Sequence, residues 1–104
     1  MILATTESIP GREVAEVLGV ARGNTIRARN IGRDIVAVLR TIVGGEIAEY
    51  TKLMAESREQ AIDRLTEQAE EMGADAVLSL RITTSMVMSQ ASEILVYGTA
   101  VRFK

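Results

Sequence analysis

Neither cysteine nor histidine occurs in the 104 residues. The first absence excludes disulfides, thiolate nucleophiles and zinc–thiolate sites, and it agrees with a reducing compartment. The second removes the commonest general base near neutral pH and the commonest transition-metal ligand, so histidine-based triads and HExxH zinc sites are excluded as well. Tyr50, Tyr97 and Phe103 are all the aromatic residues present, too few for a platform on which bases could stack. No apolar run approaches the ~18 residues of a membrane span, and Met1 to Thr6 lacks the basic opening and length of a secretory signal. The expectation is a cytoplasmic protein with no nucleic-acid partner, no membrane partner and no cofactor.

What is present points to one packed domain, residues 1–104. A hydrophobic content of 47% argues against disorder, and the length suits a single modest core. The net charge of -2 gives no reason to expect a polyanion. Acidic residues gather in the second half of the chain, where charges at helical spacing read as solvated surface.

Hydrophobic periodicity and punctuation give the element order. Ile2 to Thr6 reads as a short strand, and Ile9-Pro10-Gly11 as a turn. Arg12 to Val20 alternates as a strand, with Val14, Leu18 and Val20 on one face and Ala15 and Val17 on the other. Arg22-Gly23-Asn24 interrupts it before Thr25 to Arg29 resumes. Residues 20–25 suit either a hairpin turn or a bulge in one long strand, and the bulge is favoured.

Ile35, Val38, Leu39 and Ile42 predict a short helix over residues 33–43. Gly44-Gly45 ends it, leading into a second helix from about Ala48 to Met72 that Gly73 caps. Tyr50, Met54, Ala61, Leu65, Ala69 and Met72 form the apolar stripe of that second helix. Strands follow at Ala76 to Thr84, with Leu78, Leu80 and Ile82 facing one way, and at Ser92 to Phe103. A polar, methionine-containing connection over Ser85 to Ala91 joins them. The predicted fold class is α+β: a two-layer β-β-α-α-β-β subunit, its antiparallel sheet carrying both helices on one face. Gly44 and Gly45 are expected to shape a corner rather than a binding loop, so valine at either should lower stability and leave ligand affinity intact.

Candidate sites are few. Glu46 with Glu49, or Glu67 with Glu70 and Glu71, could hold a hard cation through oxygen ligands; ordinary surface charge explains the same spacing, and no EF-hand loop is present. Arg22, Arg27, Arg29 and Arg33 gather among small residues and could meet an anion. No GxxxxGK[ST] or GxGxxG accompanies them, and strand-face charge paired with neighbouring acids is the preferred reading. Arg58 falls by helical geometry amid Met54, Ala61, Ile62 and Leu65, where a charge must snorkel or pair with an acid such as Asp34 or Asp75. Alternatively Arg33, Asp34 and Arg58 would line an anion-binding cleft between subunits.

With these residues placed, the chain resembles the YbjQ-like family along nearly its whole length. The resemblance rests on Thr5-Thr6, Gly19-Val20, Gly23, Asn30-Ile31, Arg33-Asp34, the IVGG run at 42–45, Tyr50 and Arg58-Glu59. It continues through the GADAV run at 73–77 and the GTAV run at 98–101. It implies small bacterial and archaeal proteins described as heavy-metal-binding domains, without an established reaction, and a homopentamer of α/β subunits with antiparallel sheets. Soft metals prefer thiolate or imidazole, which this chain lacks, leaving carboxylates, backbone oxygens and methionine thioethers. Met86 and Met88 could offer thioethers to Cu(I), although a flexible interface contact suits them better.

The last strand carries Leu95, Tyr97, Val101 and Phe103 opposite Ile94, Val96 and Ala100. Helices on one side cannot cover both sets, so a subunit interface is expected at Tyr97, Val101 and Phe103. The expected partner is a second copy of the chain, in a closed homo-oligomer of five. The function expected is that of a non-enzymatic protein binding a small ligand or ion at subunit interfaces. The alternatives are a carboxylate metal-binding protein and an enzyme acting on an anionic substrate in an intersubunit cleft.

Overall fold

The computed structural model describes residues 1–28, 46–88 and 91–104. Four strands and one helix are found among them: β1 Ile2–Leu3, β2 Val14–Ala28, α1 Glu46–Glu71, β3 Ala76–Met88 and β4 Ala91–Phe103. The sheet order is β1-β3-β4-β2. β4 pairs antiparallel with both β2 and β3, whereas β1 pairs parallel with β3, Ile2 opposite Ala76. The sheet is therefore mixed, which corrects the expected antiparallel one. β1 reaches its place because β2, α1 and the turn at Gly73 all lie between it and β3, a route long enough for a parallel return. The helix expected over 33–43 and the corner at Gly44 and Gly45 lie outside the described residues.

α1 packs across β2 and β4 through Ala61, Leu65 and Ala69, each fully buried. Ser57 joins this stripe, also fully buried, and its carbonyl accepts the Thr25 hydroxyl at 3.2 Å. The small residues let the helix lie close: a Cβ on Gly23 would meet the Ala61 oxygen and Leu65 nitrogen, with the Arg64 carbonyl carbon 2.9 Å away. Gly73 closes the helix at φ +81°. Its N–H donates to Glu70 and the Ala74 N–H to Ala69, both at 3.0 Å, the paired bonds of a Schellman end. Gly73→Val should cost roughly 1–3 kcal/mol, since a β-branched residue resists that conformation. Thermal unfolding checks it, and an unchanged midpoint would contradict it.

On the opposite face a second cluster holds Ala76, Leu78, Val101 and Phe103, covered by Ala4, Ile9 and Val14. Arg12 places its guanidinium 4.3 Å from the centre of the Phe103 ring. β2 is one continuous strand, but its irregularities fall between Val14 and Glu16 and between Val17 and Gly19, not at residues 20–25. Gly19, at φ +128°, absorbs the second of them. These shifts undo the expected grouping: Val14 joins one cluster and Leu18 the other, while Val17 and Val20 are exposed.

A bulge in β3 does the same there. Leu78 opposes Thr99 and Arg81 opposes Tyr97, so Ser79 and Leu80 together face Gly98. Leu78 then belongs to the second cluster and Leu80 to the helix side, correcting the expectation that they share a face. β3 also runs on to Met88, so most of the connection expected over Ser85 to Ala91 is strand.

Candidate functional site

The structure does not assemble an anion cleft around Arg58. Its side chain is 51% exposed and meets only the adjacent Glu59, at 3.7 Å, among the described ion pairs. Helical phase explains the difference: Ser57, Ala61 and Leu65 recur every fourth residue on the buried line, and Arg58 stands one step, about 100°, around from it. Asp75, one of its expected partners, instead accepts the Phe103 N–H at 2.8 Å. Arg33 and Asp34 lie outside the described residues, as do the side chains of Glu46 and Glu49. Among the described residues no three acidic side chains are grouped to hold a metal ion. Glu56, Glu59 and Asp63 border a shallow, open depression on α1 with Ala55 and Gln60, a surface rather than a chelating cage.

Isothermal titration of metal-stripped protein should accordingly show no stoichiometric, submicromolar site for Zn²⁺, Cd²⁺ or Cu²⁺, because the ligands that make such sites strong are missing. One such site for any of these ions would defeat that expectation.

The residues expected at a subunit contact divide. Val101 is 2% exposed and Phe103 is 7% exposed, and the chain's own N-terminal segment already covers both. Their burial removes the premise that put them at an interface. Tyr97 retains 36% exposure. The larger open surface lies elsewhere, along β3 beyond its bulge, where every residue from Arg81 to Met88 is exposed. Ile82, Met86, Val87 and Met88 present between 47% and 74% of their surface. α1 packs on β2 and β4 and leaves this strand bare, an exposed apolar arm of the kind soluble monomers rarely carry.

A signal for the arm was available in the sequence. The run ITTSMVM is rich in β-branched and apolar residues, and only Ser89 and Gln90 separate it from the next strand, the spacing of a hairpin. The expected strand stops at Thr84, because Ser85, with Ser89 and Gln90 beyond it, draws the remainder towards a connection.

The arm and the two-sided core sit in a chain that matches known proteins along its full length. A family model, YbjQ, described as "Putative heavy-metal-binding", matches residues 1–104. A UPF0145 protein of Methanosarcina acetivorans is 57% identical over 98% of this chain and 96% of its own. One from Colwellia psychrerythraea is 56% identical over 100% and 99%, and one from Archaeoglobus fulgidus 53% over 100% and 96%. None of these names states a reaction. The crystal structure of a protein of unknown function of the DUF74 family, from Pediococcus pentosaceus, shares the fold. It aligns with a TM-score of 0.71 at 15% identity, covering 100% of this chain and 98% of that one.

Proposed function

We propose that this chain, which belongs to the YbjQ family along its whole length, is a non-enzymatic cytoplasmic protein that works as a closed homo-oligomer of five subunits. Contacts between the subunits hold a small ligand or ion. The observation that carries this reading is the β3 arm, exposed on both faces and apolar at four of its last seven positions. Subunit shape supports it. The long axis measures 56 Å, and the Cα radius of gyration of 17.5 Å exceeds the ~13 Å radius of gyration of a compact 100-residue domain. Surface that a subunit does not fold over is surface available to its neighbours, and cyclic closure would cover it on every copy.

The absence of His and Cys from the whole sequence supports the non-enzymatic reading. An enzyme built on Arg33, Asp34 and Arg58 loses support from the solvent-facing position of Arg58. The family description favours a second reading, a carboxylate site for a hard cation. It would take acids from more than one subunit, with Glu46 and Glu49 as candidates. Native mass spectrometry of protein purified without chelator tests the proposal. A five-subunit ion carrying a retained small mass is expected, whereas a bare monomer would overturn it.

A further inference from the structure

The two faces of the sheet are covered unequally. α1 lies on one, over Ala21, Val96 and Ala100. On the other, Ala4, Ile9 and Val14 cover Val101 and Phe103, and that cover ends before Tyr97. Exposure along β4 on this second face rises from 2% at Val101 to 36% at Tyr97.

Tyr97 stands in a row with two arginines. Arg22 opposes it from β2 and Arg81 opposes it from β3. Residues directly opposite in a ladder put their side chains on the same face. Gly23 and Val96, the next pair, are buried against α1, so Arg22, Tyr97 and Arg81 belong to the open face. Strands lie about 4.8 Å apart, which sets the two arginine Cα atoms roughly 10 Å from each other with the phenol between them.

No described acid balances this row. The Arg22 backbone N–H donates to Gln68 Oε1, but its guanidinium enters none of the described ion pairs or hydrogen bonds. Arg81 Nη1 donates to the Thr5 carbonyl at 3.0 Å and the Leu80 carbonyl at 2.8 Å. Both acceptors are neutral, so these bonds anchor the side chain without compensating its charge. Glu93 lies further along the same face and accepts Asn24 Nδ2 at 3.1 Å. The expectation that strand-face arginines pair with neighbouring acids therefore does not hold for Arg22.

We infer that the row Arg22, Tyr97 and Arg81 is a binding site for a small phosphate monoester. Guanidinium forks match phosphate oxygens in bidentate fashion, and the phenol adds a hydroxyl donor between them. Two uncompensated positive charges suit a dianion better than a monocarboxylate. The row is only two cations wide, in a chain of net charge -2, whereas a nucleic acid calls for a broad basic field. All three residues come from one subunit, so the site does not depend on the assembly proposed above, nor the assembly on the site.

Titration of the intact protein with inorganic phosphate and with phenyl phosphate, followed by NMR, is the test. Both should bind with a dissociation constant on the order of 1 mM or tighter, and the signals that move should centre on residues 22, 81 and 97. Arg22→Gln should weaken binding about tenfold or more, the loss of a charge-assisted contact, and Tyr97→Phe about threefold, the loss of a neutral one. Lys104→Gln, at the far end of β4, should bind as the parent does. No binding at about 10 mM probe, shifts centred elsewhere, or an Arg22→Gln protein that binds like the parent would overturn the inference. So would an oligonucleotide that binds where phenyl phosphate does not. Arg22 has an exposed, unanchored side chain, so Arg22→Gln should keep the parent's far-UV circular dichroism. Sedimentation of the same samples reads the assembly separately.

Discussion

Gly23→Ala should destabilise the subunit by roughly 3 kcal/mol or more, at the upper end for overpacking a core. The added methyl would collide with the backbone of α1, at Ala61, Arg64 and Leu65, rather than with a side chain that could rotate away. Relief requires lifting the helix off β2, which opens the cluster around Ala21, Leu65 and Ala69. A domain's whole stability is about 5–15 kcal/mol, so the loss is a large share of it. Urea unfolding should show the midpoint falling by roughly 1–3 M at an ordinary slope. Were Gly23→Ala to lie within about 0.5 kcal/mol of the parent, an ordinary surface effect, the helix would not sit where the structure puts it.

The second large effect concerns the β3 arm. Ile82 pairs with Val96, so its side chain lies on the helix side of the sheet, and Met86, four pairs further along, shares that face. α1 does not reach them, and they are 47% and 74% exposed. Burial of such side chains against a neighbour stabilises by about 1.5–3 kcal/mol each. Replacing both with lysine forfeits that gain and sets charge in the contact. The double variant Ile82→Lys/Met86→Lys should keep its fold, because neither side chain is buried within the subunit, and should lose at least about a hundredfold in association affinity. Sedimentation velocity over a dilution series separates the outcomes. An assembly that persists to the same dilution as the parent would show that the arm is not the contact.

The fold was legible where one physical signal acted alone. α1 followed from its 3.6-residue apolar stripe and its glycine cap, and the structure moves its start by two residues and its end by one, to Glu46–Glu71. The continuity of β2 was only partly legible, since residues 20–25 suited a hairpin turn as well as a bulge and the irregularities lie nearer its start. What the sequence concealed were register shifts. The bulges at Gly19 and at Ser79-Leu80 each turn the side chains that follow to the other face, so alternation read straight through them groups the wrong residues. Ser79 adopts φ 54° with nothing in its identity to announce it. The parallel pairing of β1 depends on a long-range meeting with Ala76, which local patterning cannot report. Arg58 shows how fine the margin is on a helix: one residue of phase separates a buried charge from a surface one, and a small serine in the stripe hid the true line.

Of the candidate site, the sequence indicated that an apolar surface would remain open; of the three residues it named, Tyr97 is exposed, whereas Val101 and Phe103 are buried within the subunit. Val101 and Phe103 are apolar because the N-terminal segment folds over them, a contact between distant parts of the chain. Uncovered apolar surface among the described residues belongs to Val17, Val20 and Ile26 on β2 and to Ile82, Met86, Val87 and Met88 on β3, the last three of them in a stretch read as a connection.

Assembly is the central claim, and sedimentation equilibrium of the unmodified protein at micromolar concentration tests it most directly. The account predicts a single species at five times the 11.3 kDa subunit mass, and a stable, soluble species at 11.3 kDa would contradict it.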